Sequence, residues 1–320
     1  MSNILKKTTA IALILTMVLI LVTGCGIKGD EPKVNEDNPL TREENEGVYP
    51  MEVEDDFGNK VIIEKQPTKI ISLAPSHTEI LFALGLNKEI VGVTTYCNYP
   101  EEASTKERVG DAFNLNIEKI LELDPDVVIQ YGPGKDDANK QLRDAGIAVL
   151  GYQPESVDEV IKLMEDIGQI TNHLLQAKTV TEDMIKKKDH IINKISSVEN
   201  KAKVIFEIWD EPLQVAGPGS FIDEIIRLAG GENIASDAEG AYAQFDLEQL
   251  IERDPDVYLM SEDLETKTIE SVKARPGYSE ISAIKNNRIY ILDSLISVPG
   301  PRIVDGLEIV AKSIYPELFK

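Results

Sequence analysis

Apolar residues along this chain come in short runs that alternate with longer stretches of helical periodicity. Lys69 to Ala74 (KIISLA) reads as a short buried strand. Pro75-Ser76 turns it, and Thr78 to Leu84 continues as a helix that stops at Gly85. Ile90 to Val93, Val127 to Gln130 and Ala148 to Leu150 read as further strands, with helices expected near 117–123, 136–145 and 156–170 between them. Such alternation predicts an α/β protein with a parallel sheet and helices on both of its faces.

The plan then repeats. Lys203 to Ile208, Val257 to Met260 and Arg288 to Leu292 read as strands, and Ser220 to Ala229 as a helix closed by Gly230-Gly231. One stretch is nearly written twice: NIEKILELDPDVVI (116–129) and DLEQLIERDPDVYL (246–259) lie 130 positions apart without a gap. Six of the fourteen pairs are identical: Glu118/Glu248, Glu122/Glu252, Asp124/Asp254, Pro125/Pro255, Asp126/Asp256 and Val127/Val257. TEILFALG (78–85) also rhymes with IDEIIRLAGG (222–231), so the duplication covers more than one segment.

Between the halves, His173 to Val198 contains neither glycine nor proline. Its apolar residues Ala177, Val180, Met184, Ile191, Ile195 and Val198 recur at helical spacing and form one narrow stripe. A helix of that length spans about 39 Å at about 1.5 Å per residue, which suits a rigid element joining two lobes. The expected architecture is therefore two doubly wound lobes, 49–171 and 200–320, joined by a long helix within 172–199, with a ligand cleft between the lobes.

The N-terminus sets the compartment. Lys6 and Lys7 precede thirteen residues from Ala10 to Val22 that are almost wholly apolar, too few to span a bilayer and suited to a signal peptide over 1–24. Val22-Thr23-Gly24-Cys25 resembles a bacterial lipobox, which marks Cys25 for lipidation and anchors the chain on the outer face of the cytoplasmic membrane. The polar run 25–48 then reads as a flexible acidic tether. Cys97 is left without a disulfide partner, so stability must come from apolar cores, and 42% hydrophobic residues in 320 is enough for two of ordinary size. Loss of residues 1–24 removes only Lys6 and Lys7 among charged groups and takes the formal charge from −23 to −25. So acidic a surface argues against nucleic acid and anionic lipid as partners.

KIISLAPSHTEILFALGL, VGVTTYCNYPEEA, FEIWDEPLQVAGPGSFIDEIIRLAGGENIA and VPGPRIVDGLE, in that order, resemble the class III substrate-binding lipoproteins of ABC importers for vitamin B12, iron–siderophores and haem. The resemblance runs from about Tyr49 to Phe319, and EIWDEPL and AGPGSFIDE are most similar to the cobalamin-binding branch. It implies two α/β lobes on one long helix, a monomer, and delivery of ligand to a dimeric ABC permease with its ATPase subunits.

Ligands of doubly wound sheets sit beyond the carboxyl ends of the strands. The loops there carry Tyr96, Phe113, Tyr131, Trp209 and Tyr242. The resemblance puts Tyr96, Tyr131 and Tyr242 where B12-binding relatives have aromatic residues. A corrin has a broad apolar face fringed by neutral amides, which aromatic walls and tyrosine hydroxyls would suit. A ferric catecholate would want a cationic cluster, whereas only Lys135 and Arg302 stand near these loops. His77, in the turn that opens its helix, is a candidate to line the cleft, to cap the helix, or to ligate a cobalt or iron centre. His173 and His190 share the connecting helix and make a poor zinc site.

Catalysis finds no support: GxSxG, GxxxxGK[ST] and GxGxxG are all absent, and no cofactor is expected beyond cobalamin as cargo. Glu118 and Glu248 fall in the first turns of the two repeated helices, where acids complement the helix dipole. The resemblance matches them to the lobe-surface glutamates that B12-binding relatives present to permease arginines. A siderophore or haem carrier, or a ligand-sensing or adhesive lipoprotein on the same fold, remain the alternatives to cobalamin capture.

Overall fold

A computed structural model describes residues 48–111, 114–262 and 267–320. The expected signal peptide, all of the tether but Val48, Cys25 and Phe113 lie outside the described residues. A hairpin of β1 (Met51–Glu54) and β2 (Lys60–Ile63) opens the fold. Its turn is held by the buried Asp55, whose carboxylate accepts the N–H groups of Phe57 (3.0 Å), Asn59 (2.8 Å) and Gly151 (3.0 Å).

The first sheet has the order β5 (Glu107–Arg108), β4 (Ile90–Val93), β3 (Ile70–Ser72), β6 (Val127–Tyr131), β7 (Ala148–Tyr152), all parallel. Apart from the charged edge strand β5, each strand is mainly apolar because helices cover both faces. Helices α1 (Pro75–Ala83), α2 (Ile117–Leu123), α3 (Asp136–Asp144) and α4 (Val157–Ile170) alternate with the strands. Pro75 opens α1 at a position where its missing N–H costs nothing, and Ser156 caps α4 by accepting the Glu159 N–H at 3.1 Å.

The chain passes to the second sheet through α4 and then α5 (Leu174–Ile195). Helix α5 is shorter than the expected 173–198: His173 is its N-cap and Ser196 its C-cap. Ala177, Met184, Ile191 and Ile195 of the stripe are buried, with Thr181 continuing it. The second sheet has the order β11 (Tyr242–Gln244), β9 (Leu213–Ala216), β8 (Lys203–Asp210), β12 (Val257–Ser261), β13 (Ile289–Leu292), with β10 (Glu232–Asn233) beside the start of β8. Strands β8, β12 and β13 are parallel, as expected, but β9 is antiparallel to both β8 and β11. The difference has a local cause, since Glu211-Pro212 turns β8 straight back on itself and leaves no room for a crossover helix. Helices α6 (Phe221–Leu228), α7 (Leu247–Arg253), α8 (Ile269–Lys273), α9 (Ser282–Lys285) and α10 (Ile303–Ile314) complete the chain.

The repeated sequence is a repeated structure. Both copies form a seven-residue helix, α2 or α7, whose N-cap oxygen accepts an N–H three residues on (Asn116 from Lys119, 2.9 Å; Asp246 from Gln249, 2.8 Å). Both end on an aspartate in the left-handed region, Asp124 (φ 51°) and Asp254 (φ 44°). Two residues later, Asp126 accepts the Thr68 (2.8 Å) and Lys69 (3.0 Å) N–H groups, and Asp256 accepts that of Lys203 (2.8 Å). Each copy thus staples its helix end to the start of the central strand of its sheet, β3 or β8.

Contacts between the lobes are extensive. One apolar cluster runs from Ile70 and Leu150 through Ile170 and Met184 to Phe206 and Leu307. Lys187 of α5 bonds to Glu308 of α10 at 2.8 Å, and with Lys312 it lowers the Glu308 pKa to about 2. Arg302 reaches back to the buried Glu79 of α1 with two bonds (2.9 and 2.7 Å), its guanidinium stacked 3.6 Å from the Tyr99 ring centroid. Glu224 of α6 accepts the Val157 N–H at the start of α4 (2.8 Å). Closing the lobes further would break these bonds and shear a shared core. Ligand addition is therefore expected to leave the radius of gyration nearly unchanged, and a large compaction in small-angle scattering would overturn this.

Candidate ligand-binding site

In the first sheet the strand order reverses between β3 and β6, and the loops leaving these two strands flank the switch point at which doubly wound sheets place their ligands. The β3 loop runs into α1 and carries His77; the β6 strand ends on Tyr131. The two rings lie 5.9 Å apart. Tyr131 is followed by Gly132 (φ +74°), a conformation that glycine adopts freely, and the turn is pinned where the Pro133 carbonyl accepts from Gln130 (3.0 Å) and Asn139 (2.7 Å). This leaves the tyrosine 44% exposed at the strand end.

Tyr242, from the second sheet, is 66% exposed and near enough to act on Tyr131. Burial first, then the Tyr242 hydroxyl and the Glu155 carboxylate, raise the Tyr131 pKa above 10.0, so this phenol stays protonated and able to donate. Tyr96 and Trp209 are also exposed, at 58% and 44%. Arg108 holds the turn of Tyr96 by bonds to the Thr94 (2.7 Å) and Cys97 (2.8 Å) carbonyls, and Trp209 donates Nε1–H to the Glu211 carbonyl (3.1 Å). The structure brings His77, Tyr131 and Tyr242 into one neighbourhood. No ring contact joins Tyr96 or Trp209 to that group among the described residues.

His77 does not cap its helix. The N-cap is Ala74, without a side-chain bond, and His77 lies inside α1 with a fully buried ring. The chain enters α1 three residues before the expected start at Thr78, because Pro75 is itself helical. Neither ring nitrogen has a partner, and burial lowers the pKa from 6.5 to about 4, so the imidazole is neutral at physiological pH. Tyr152, at the end of β7, stacks obliquely 6.4 Å away, with its hydroxyl also buried and unpaired. Sequence reasoning missed Tyr152, although the rule that selected Tyr131, an aromatic ending a first-sheet strand, would have found it. A recess of about 360 Å³ adjoins it, lined by Asp56, Phe57, Glu155, Lys162 and Asp166 among others.

Of the two cations near the candidate loops, Arg302 is committed to Glu79. Lys135 stands exposed at the start of α3. Among the described residues no three His, Cys, Asp or Glu side chains converge to hold a metal ion, and no helix is long and apolar enough to cross a membrane.

Residues 70–295 match the periplasmic binding protein family. The chain belongs to that family. An ABC transporter substrate-binding lipoprotein of Bacillus subtilis, YvrC, is 34% identical over 324 aligned positions that cover 99% of this chain and 100% of the relative. The vitamin B12-binding protein BtuF of Vibrio cholerae superposes with a TM-score of 0.67 at 27% identity, over 79% of this chain and 98% of the other. The haem-binding protein RhuT of Roseiflexus does so with a TM-score of 0.71, also at 27% identity, over 78% and 98%. The two solved proteins share the fold, and one is named for vitamin B12 and the other for haem.

Proposed function

We propose that this protein is the extracytoplasmic substrate-binding component of an ABC importer, capturing cobalamin or a related corrinoid between its lobes for a dimeric permease. In this reading Cys25 carries the lipid that tethers the chain to the outer face of the membrane. The relatives support the transport role. The observation that carries the ligand class is the exposed Tyr131 beside a neutral buried imidazole, with the exposed phenol of Tyr242, from the other sheet, near enough to act on it. Such walls bury an apolar ring and offer hydroxyls to its neutral amides. The electrostatics point the same way: Glu155 stands beside Tyr131 and Arg302 is occupied, so a highly anionic ferric catecholate would meet repulsion. In this reading Tyr96 and Trp209 extend the aromatic wall, Phe113 is a further ligand-binding residue, and Glu118 and Glu248 dock the permease.

Calorimetry against cyanocobalamin, haem and a ferric siderophore tests the ligand. Cobalamin is expected to bind tightly and with little salt dependence, because ring burial supplies the affinity. Tyr131→Ala and Tyr242→Ala are each expected to cost about 1 to 3 kcal/mol of binding without unfolding the protein. Tight siderophore binding with none for cobalamin would sink the ligand assignment and leave the transport role standing.

A further inference from the structure

The six identical pairs of the repeat divide by what they do. Asp124/Asp254, Pro125/Pro255, Asp126/Asp256 and Val127/Val257 end a helix, staple it to a central strand and start the next strand, so the fold accounts for them. Glu118/Glu248 and Glu122/Glu252 are exposed and make no staple. They share one helix face, at steps of four, and the residue three on from the first glutamate, at position 121 or 251, borders that glutamate on the helix surface. That residue is apolar in both copies: Leu121 is 41% exposed and Ile251 36%. Single exposed apolar side chains need no explanation. Among the large apolar side chains left exposed, however, Leu121 and Ile251 are the pair that the 130-residue repeat superposes.

We propose that Leu121 and Ile251 are the apolar anchors of the permease contact, one on each lobe. This rests on the docking role proposed for Glu118 and Glu248. The occupant is a two-fold membrane partner that presents the same patch twice, each with an arginine beside an apolar recess. The aliphatic stem of that arginine lies on Leu121 or Ile251 while its guanidinium meets the neighbouring carboxylate. Charge complementarity selects the cation: Glu118, Glu248 and Glu252 have no ion pair among the described residues, and Glu122 has only Lys119 (3.5 Å), itself shared with Glu107 (3.4 Å). An apolar contact beside a carboxylate also explains why a solvated helix face carries leucine and isoleucine where lysine or glutamine would serve an ordinary surface.

The test is docking of the full lipoprotein to its permease with ATPase subunits in nanodiscs, across a salt series. Leu121→Gln with Ile251→Gln keeps helix formers in both places and is expected to weaken docking about tenfold or more, with the salt slope unchanged. Leu121→Met with Ile251→Met is expected to restore it. Glu118→Gln with Glu248→Gln is expected instead to flatten the salt slope. If the Leu/Ile variant docks like wild type while the glutamate variant fails, the anchors fall and the docking glutamates stand. If neither variant changes docking, both are wrong.

Discussion

Reversing the two matched glutamates, Glu118→Lys with Glu248→Lys, is expected to abolish permease docking and ligand uptake while ligand affinity and thermal stability stay near wild type. Both side chains are exposed and neither belongs to the Tyr131–His77–Tyr242 group, so ligand binding has no reason to change. Within the protein, each acid does no more than complement a helix dipole. Its loss, with a lysine in its place, costs about 0.3 to 1 kcal/mol, small against a typical stability of about 5 to 15 kcal/mol. At a cationic partner the same change replaces attraction by like-charge repulsion, which costs several kcal/mol and acts at two places together. Two equivalent contacts are what a partner with two-fold symmetry requires. Either reversal alone should therefore give partial loss, and wild-type docking should weaken as salt shortens the screening length below about 8 Å. Normal uptake in the double variant would return both residues to the helix-dipole role.

What could be read without coordinates follows from the range of the interactions concerned. Strand β4 and helix α2 have the bounds that periodicity gives them, because each is set by its own residues: a buried apolar run in one case, a capped turn between Asn116 and Asp124 in the other. The duplication was legible because its staple is local too. The antiparallel β9 and β11 were not, since LQVA and YAQ carry too few residues to show a period and become strands only by pairing with β8 and each other.

At the candidate site the same division holds. Tyr131 and Tyr242 could be picked out as aromatics in loops, and their exposure is a local property. The partners that define their surroundings are distant in the chain: Tyr131 meets His77 of α1 and feels Tyr242 of the second sheet, and the orphaned hydroxyl of Tyr152 is buried by packing that no motif announces. His77 shows the limit clearly. Its place beside a turn suggested a cap, whereas Pro75 starts the helix early and turns the ring into the interior.

The second large effect is expected at Glu207, a fully buried residue of β8 to which sequence reasoning assigned no role. Its carboxylate accepts two bonds from Arg275 (2.6 and 3.2 Å), one from Lys267 (3.1 Å) and one from the Tyr258 hydroxyl. Burial pushes its pKa up, but the bonds from Arg275 and Tyr258 and the charges of Arg275 and Lys267 outweigh this and hold it below 4.5. Removing the anion would strand two cations, one of them, Lys267, as deeply enclosed as Glu207 itself. Glu207→Ala is therefore expected to cost about 3 to 5 kcal/mol, whereas Glu308→Ala, at a partly exposed pair, should cost about 1 kcal/mol or less. The sign of the pH dependence follows from the lowered pKa. The contribution of Glu207 is fully present above the unfolded-state value near 4.3 and is lost as pH falls below it through the folded value. The acid sensitivity of wild type in that window should be blunted in Glu207→Ala. Arg275 also reaches Asp210 at 3.5 Å, next to Trp209, so the same cluster steadies the end of β8. Ligand affinity should drop in Glu207→Ala even at temperatures where the protein remains folded. Urea unfolding that placed Glu207→Ala within about 1 kcal/mol of wild type would show that Arg275 and Lys267 find other partners or water.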